Sequence, residues 1–422
     1  MQMLRDRYEN ELSTASDLAR DHYIEGVDRV LSGAADMVLP FQDAVAADDG
    51  FTLAYVGLAR ALVLSGDMAG AKAAMGRATE LAERTSGREA SHVHTMGLLF
   101  KGKAVEALAA TREHVQSWPR DVIIAQLATS VFGLIGFSGQ AAREASLFAY
   151  TESLLPHYGE DWWLLSQHAF SMCEVGMLNG ANDMIDRSLA IKSDHAHAAH
   201  VKSHVYYEAG NLKDGVGYLE EWLGSYEKRA LMHGHLSWHV ALWALEQGDI
   251  DKMWATVDAG VKPDASEGLA INTITDTASI LHRAELAGHD VPAERWQQIS
   301  AYSAKMAPKV GQSFVDMHAA LAHAMAGEAE VLQNYIAAGK GFAADVVRDC
   351  AKGFYAIVKQ DWAGATKALS AALVDDARLG GSRAQRDLLE LSLVNLLMRQ
   401  GKGEEAERIF GLRRPILAHG AH

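Results

Sequence analysis

Ten positions close successive helix-forming runs in this chain: Gly66, Gly102, Gly136, Gly176, Gly210, Gly248, Gly288, Gly327, Gln360 and Gly401. All but one are glycine, and the steps between 66 and 401 average about 37 residues, the period of a helical-hairpin repeat. Five residues beyond each mark stand Ala71, Ala107, Ala141, Ala181, Gly215, Met253, Ala293, Leu332, Ala365 and Ala406. Eight of these ten are Ala or Gly, which suits two helices that cross closely, because a larger side chain would hold their backbones apart. Period-two stretches rich in Val, Ile, Thr and aromatics are missing, so the chain reads as all-α. The seven prolines (40, 119, 156, 263, 292, 308 and 415) are expected at the edges of helices.

The 422 residues exceed what one compact core usually supports, roughly 250–300 residues. Repetition removes that difficulty, since each hairpin of a solenoid buries itself against its neighbours. The spacing resembles the tetratricopeptide repeat: Gly66, Ala71, Met75 and Ala78 match its consensus in one unit, and Gly102, Ala107 and Pro119 in the next. A degenerate unit ending at Gly33 precedes them. The expected fold is a right-handed α-α superhelix of about ten to eleven tetratricopeptide-like hairpins. It would occupy residues 16–415 as a single solenoid, between an N-terminal extension, 1–15, and a C-terminal tail, 416–422.

Composition narrows the function classes. The formal charge is −15, and no block of Lys and Arg offsets it, which argues against a nucleic-acid partner. Cys173 and Cys350 form neither a disulfide framework nor a CxxC motif, as expected of a reducing, cytoplasmic setting. The N-terminus, MQMLRDRYENELSTAS, is charged throughout and lacks the apolar stretch of a secretory signal. No window approaches 18 uncharged apolar residues, so no membrane partner is expected. The oligomeric state stays open, a homo-oligomer included.

Five segments go beyond the generic repeat: HAHAAHVKSHVYYEAGNLKDG (195–215), HLSWHVALWALEQGD (235–249), TDTASILHRAELAG (275–288), FVDMHAALAHAMAG (314–327) and RLGGSRAQRD (378–387). In these the chain resembles the tetratricopeptide repeat protein 38 family, over nearly its whole length. The resemblance implies the fold and no particular biochemical activity. Tyr207 stands where that family's pattern has Glu, with Glu208 one place later.

Residues 195–239 hold seven of the nineteen histidines: 195, 197, 200, 204, 233, 235 and 239. His197, His200, His204 and Tyr207 fall on a single stripe of one helix, and His235, Trp238 and His239 take similar positions on the next. By resemblance to tetratricopeptide arrays, both stripes would face the concave groove. Three chemistries suit such a cluster. The pairs His200/His204 and His235/His239 could chelate one metal ion, such as zinc, copper or iron. They could instead serve as general acid and base, with Tyr207 as hydroxyl donor. Or they could orient a ligand stacked on Trp238. The plain alternative is a set of polar groups bonded to water and to one another.

Further candidate ligand-binding residues are Trp163 and Gln167 in the preceding unit, Asp276, and Asp316 with His318 in a later one. Arg383 and Arg386, near a helix start, could hold an anion, although the glycines before them and a capping Ser382 explain that string equally well. Gly133, Gly136 and Gly139 read as a turn. Two function classes follow. One is a binding protein that captures a small molecule or short peptide in a His/Trp-lined groove, with a protein–protein adaptor as a variant. The other is an enzyme that uses His200, His204, His235 and His239 as its acid–base or metal site.

Overall fold

The computed structural model describes residues 4–85 and 87–413, so Pro415 and the tail 416–422 lie outside the described residues. Among the described residues, 22 α-helices succeed one another, joined by one π-helical turn, Val257–Val261, and one 3-10 turn, Asp376–Leu379. An isolated antiparallel bridge between Arg5 and Glu11 is the only strand-like pairing there. The chain is an all-helical superhelix of tetratricopeptide-like hairpins.

The repeat marks owe their regularity to one turn geometry. Gly66, Gly102, Gly176, Gly210, Gly248, Gly288, Gly327 and Gly401 all have φ between 69° and 88°, the left-handed region where a Cβ is costly. At Gly176 the N–H donates to the Cys173 carbonyl (3.0 Å), and the Met177 N–H reaches back to Met172 (2.9 Å). The two bonds satisfy carbonyls that the helix end would leave bare. Gln360 adopts the same conformation (φ 57°) with the same pair of bonds, its N–H donating to the Ile357 carbonyl and the Asp361 N–H to that of Ala356. The turn is therefore a property of the position, and Gln360 accepts the strain. Asp67, Asp249 and Asp361 follow directly and cap the next helix through the N–H groups of Gly70, Lys252 and Gly364.

Gly136 departs from this pattern. It is not left-handed; a Cβ there would lie 2.1 Å from the Val131 carbonyl oxygen, so crowding, not φ, demands glycine. The helix expected before it shrinks to Val122–Gln126, and the chain then passes through turns as far as residue 142. One regular inner helix is thus replaced by an irregular segment. Ala141 and Ala293 are exposed and make no close helix crossing, unlike Ala71, Ala107, Ala181 and Ala365, which are fully buried. Pro40 sits in the first turn of Val38–Ala47, but Pro156 lies inside the last turn of Arg143–Tyr158, so not every proline stands outside a helix.

Second helices of the hairpins bury one stripe. Leu178–Ile191 hides Ala181, Ile185 and Ser188, and Ala104–Ser117 hides Ala107, Thr111 and His114, the spacing of a single helical face. First helices in the middle of the chain are enclosed on all sides. Every residue of Trp162–Glu174 is buried, as are most of those in Ala196–Glu208, His233–Glu246 and Ser313–Met325. The groove expected on their inner side is largely filled because the superhelix closes on itself. His195 Nε2 meets the Leu31 carbonyl oxygen at 3.0 Å. Arg143 donates to the carbonyls of Ala377 and Gly381, and Arg386 pairs with Glu144 and Asp376. The segment before the first helix is tucked in as well, with Tyr8 and Leu12 buried and Asn10 bonded to the Arg120 carbonyl at 3.0 Å.

Candidate metal centre and ligand cavity

Two adjacent inner helices, Ala196–Glu208 and His233–Glu246, bring four imidazoles to one point. His200 and His204 are one helical turn apart, as are His235 and His239, so each pair shares a face. One ligand nitrogen from each of the four lies within 4.8 Å of all the others. His200 Nε2 stands 2.8 Å from His204 Nε2 and 2.9 Å from His235 Nε2. All four rings are buried.

The protons cannot satisfy this arrangement. A neutral imidazole has one N–H and one in-plane lone pair. His235 Nδ1 donates to Asp276 Oδ2 at 2.8 Å, which leaves the lone pair of a neutral ring at Nε2, facing His200. His200 Nε2 has one in-plane direction and two nitrogen neighbours, so it bonds well to only one of them. His204 Nδ1 and both ring nitrogens of His239 have no hydrogen-bond partner. An unsatisfied buried polar group costs about 1–3 kcal/mol, and several such groups meet here. A cation among the four nitrogens would engage their lone pairs together. With metal–nitrogen bonds of about 2.1 Å, ligand nitrogens stand roughly 3.0–3.4 Å apart; two pairs here are slightly closer and the others lie within 4.8 Å, so ligation would need only small side-chain shifts.

Electrostatics point the same way. Burial first, and then the charges of the neighbouring histidines, hold His200 and His239 well below the usual imidazole pKa; His204 is drawn down to about 3 by burial and His235. These rings are neutral at pH 7, the form that ligates metals. Asp276, buried behind His235, is raised by burial and partly restored by His235, Thr275 and the Gln385 amide. It occupies the place of the carboxylate that commonly orients a ligating histidine. Phe170 packs against His200 and His204, and Trp238 stacks on His235 at 5.3 Å.

His200 and His235 also face a cavity of about 640 Å³, a size typical of small-molecule sites, roughly 300–1,000 Å³. The irregular segment after Gln126 forms one wall of it, through Ser130, Phe132, Leu134 and Phe137. Gln167, His197, Asn272, Gln385 and Arg60 supply polar groups. Val105, Gln140 and Phe342 belong to the lining yet are exposed, which places the mouth beside them.

The other candidates lie elsewhere. Trp238 is not in the cavity wall; it is covered by His235 and fully buried, and so is Trp163, which packs on Tyr158. Tyr207 bonds to Asp387, which also holds Arg283. Asp316 accepts the Gly311 N–H, and His318 bonds to the Phe314 carbonyl. Arg386 is engaged by Glu144, Asp376 and the Gly381 carbonyl, so it holds the superhelix together instead of presenting itself to an anion. Arg383 is half-buried; its backbone N–H donates to Glu174, and its side chain lies 3.9 Å from Glu208. Ser382 caps its helix in a reciprocal box with Gln385.

Arg60 and Gln126 carried no sequence signal, and the stretch around Gly133, Gly136 and Gly139, read as a turn and found as turns, gave no sign that it lines a cavity. Arg60 looks like any outward charge on a helix, and the 130–138 stretch fits a regular repeat until its glycines are seen to crowd. A second buried group also went unread, in which Asp121 accepts from Arg88 and lies 3.0 Å from His92 Nδ1 and 3.2 Å from His114 Nε2. All three contacts converge on one carboxylate oxygen, Oδ2, in a buried ion-paired group of the kind that holds helices together.

No family model matches the chain. Several solved structures are similar to it in outline. A human IFIT1 dimer with m7Gppp-AAAA is 12% identical, with 99% of this chain and 98% of that one covered and a TM-score of 0.46. Yeast Tom70 is 13% identical, with coverages of 96% and 95% and a TM-score of 0.35. The TPR domain of P58(IPK) is 16% identical, with coverages of 93% and 98% and a TM-score of 0.21.

Proposed function

We propose that this protein binds a transition-metal ion through His200, His204, His235 and His239 and holds a small molecule against it in the adjoining cavity. The observation that carries the reading is the convergence of four buried imidazoles whose nitrogens cannot satisfy one another, with Asp276 braced behind His235. The imidazole donor set suits zinc, copper, iron or nickel more than magnesium or calcium.

Catalysis by the metal is the second reading. Two of the four ligands, His200 and His235, line the cavity, so a bound ion would lie where it could polarise a substrate or a water. Acid–base catalysis by free imidazoles is less well supported, because burial keeps three of the four rings from holding a proton near neutral pH. An adaptor role has less to stand on too, since the inner helices are enclosed and offer little extended concave surface. As for nucleic acid, two cations line the cavity, Arg60 and Arg378, and Arg378 is already paired with Asp345.

The family reading belongs to this proposal. The segments that resemble tetratricopeptide repeat protein 38 include the helices carrying all four histidines and Asp276. The single solenoid unit of residues 16–415 and a cytoplasmic setting are likewise part of it; both cysteines are buried, and no described helix is long and apolar enough to cross a membrane.

Metal analysis of untagged protein is the direct test. About one equivalent of a transition metal per chain is expected, together with Co²⁺ absorption bands that vanish in His204→Ala and His239→Ala while helicity stays unchanged. Stoichiometric Co²⁺ binding that survives both substitutions would remove the assignment. Tight binding of a capped oligonucleotide in the cavity would displace the small-molecule reading.

A further inference from the structure

Arg60, on the helix Thr52–Leu64, lines the same cavity as His200 and His235. Its Nε is shielded from solvent and has no hydrogen-bond partner. Among the described residues no carboxylate pairs with it, and burial alone draws its pKa down to about 10, so it remains a cation at neutral pH. The four buried guanidiniums of the described residues are all engaged: Arg88 by Asp121, Arg143 by two backbone carbonyls, Arg283 by Asp387 and Arg386 by Glu144. Arg60 is half-buried at the cavity wall, and a guanidinium whose Nε is shielded without a partner is costly to keep there.

The rest of the wall is informative by its charge. The chain has 54 acidic residues, yet no Asp or Glu lines the cavity. Its other polar groups are mainly neutral, among them Gln126, whose Oε1 is buried without a partner, Gln167 and Asn272. Phe132, Phe137, Phe170 and several Leu and Val residues make up much of the remainder. His197 lines the same wall, near both Arg60 and His235.

We propose that the cavity takes a small, largely apolar monocarboxylate, whose carboxylate pairs with Arg60 while its other end lies against the four-histidine centre. One guanidinium matches one negative charge bidentately. In the metal-free chain a dianion such as a phosphate monoester would bring a second charge that only Arg378, already paired with Asp345, stands near, and an amine would face Arg60 with no carboxylate to receive it. This inference rests on the cavity being the ligand site; it does not require the metal.

The test is calorimetric binding of 4-phenylbutyrate and decanoate, each beside its neutral amide and its amine, to the full chain loaded with Co²⁺. Wild-type protein is expected to prefer the carboxylate over the amide by about 10- to 100-fold, the worth of a charge-assisted contact. Arg60→Met should abolish that preference while leaving the amide's affinity within about threefold, and Arg60→Lys should retain part of it, because Lys keeps the charge but loses the fork. Equal binding of acid and amide, a preference that survives Arg60→Met, or no carboxylate binding at all overturns the proposal. The Co²⁺ spectrum of the same samples separates the two readings. Bands without a carboxylate preference sink this inference alone, and a preference without bands sinks the metal reading alone.

Discussion

Asp276 decides how His235 can act. Its Oδ2 takes the Nδ1 proton at 2.8 Å and turns Nε2 toward His200, which sets the tautomer as well as the ring orientation. Asp276→Asn keeps the shape but weakens the acceptor, so metal affinity should fall about 10–100-fold. A competition titration against a chelator measures this; an unchanged dissociation constant would show that Asp276 plays no part in ligation. The four histidines could be picked out in the sequence because i and i+4 spacing puts each pair on one face whatever the tertiary structure. Asp276 could be noticed but not placed, since its contact with His235 spans 41 residues and depends on how the third helix packs. Trp238 shows the opposite failure: its helical position is correct for a groove, but His235 lies over it.

The turn is the most predictable unit at the scale of elements. Gln360 and Gly66 occupy equivalent left-handed positions, Gln360 on the surface and Gly66 with nothing within 4 Å of where a Cβ would be. Gln360→Gly should stabilise the protein by about 1 kcal/mol by relieving the left-handed strain, and Gly66→Ala should destabilise it by about the same amount. Denaturant or thermal unfolding of the two variants checks both; shifts of the same sign would contradict the argument. Gly136 resisted this logic because its glycine answers to crowding against Val131. The period alone does not separate a glycine that needs a positive φ from one that needs space, and the lost helix before Gly136 is what lets residues 130–138 line the cavity.

The buried histidines act together on the whole molecule. Nine described histidines have lowered pKa values, among them His197, His318 and His323 at about 4, all chiefly through burial. An unfolded histidine takes its proton near pH 6.5, so between about pH 7 and 5 the unfolded chain binds more protons at these sites, and stability falls as pH falls. Glu174, Glu246 and Asp316, raised to about 7 by burial, oppose this, because in the same window the folded chain holds their protons. The histidines outnumber them, so the melting temperature of metal-free protein should drop from pH 7 to pH 5, at up to about 1.4 kcal/mol per pH unit for each net proton. A melting temperature that is flat or rises toward pH 5 would contradict this balance. Metal at 100 times its dissociation constant should add about 2.7 kcal/mol at pH 7 and progressively less in acid, as protons compete for the ligands.

The sequence by itself determined the hairpins, their period, their left-handed turns and the pairing of histidines within each of two helices, because each depends on residues a few positions apart, where helix geometry alone fixes what meets what. Tertiary structure decided the rest: that the superhelix closes, that its groove is mostly core, that Asp276 stands behind His235, and that Arg60 reaches the histidines' cavity. These contacts join residues from separate hairpins, some more than a hundred positions apart. The angle at which one hairpin stacks on the next sets them, and a small change in that angle, repeated along the solenoid, would have left the same residues facing an open channel.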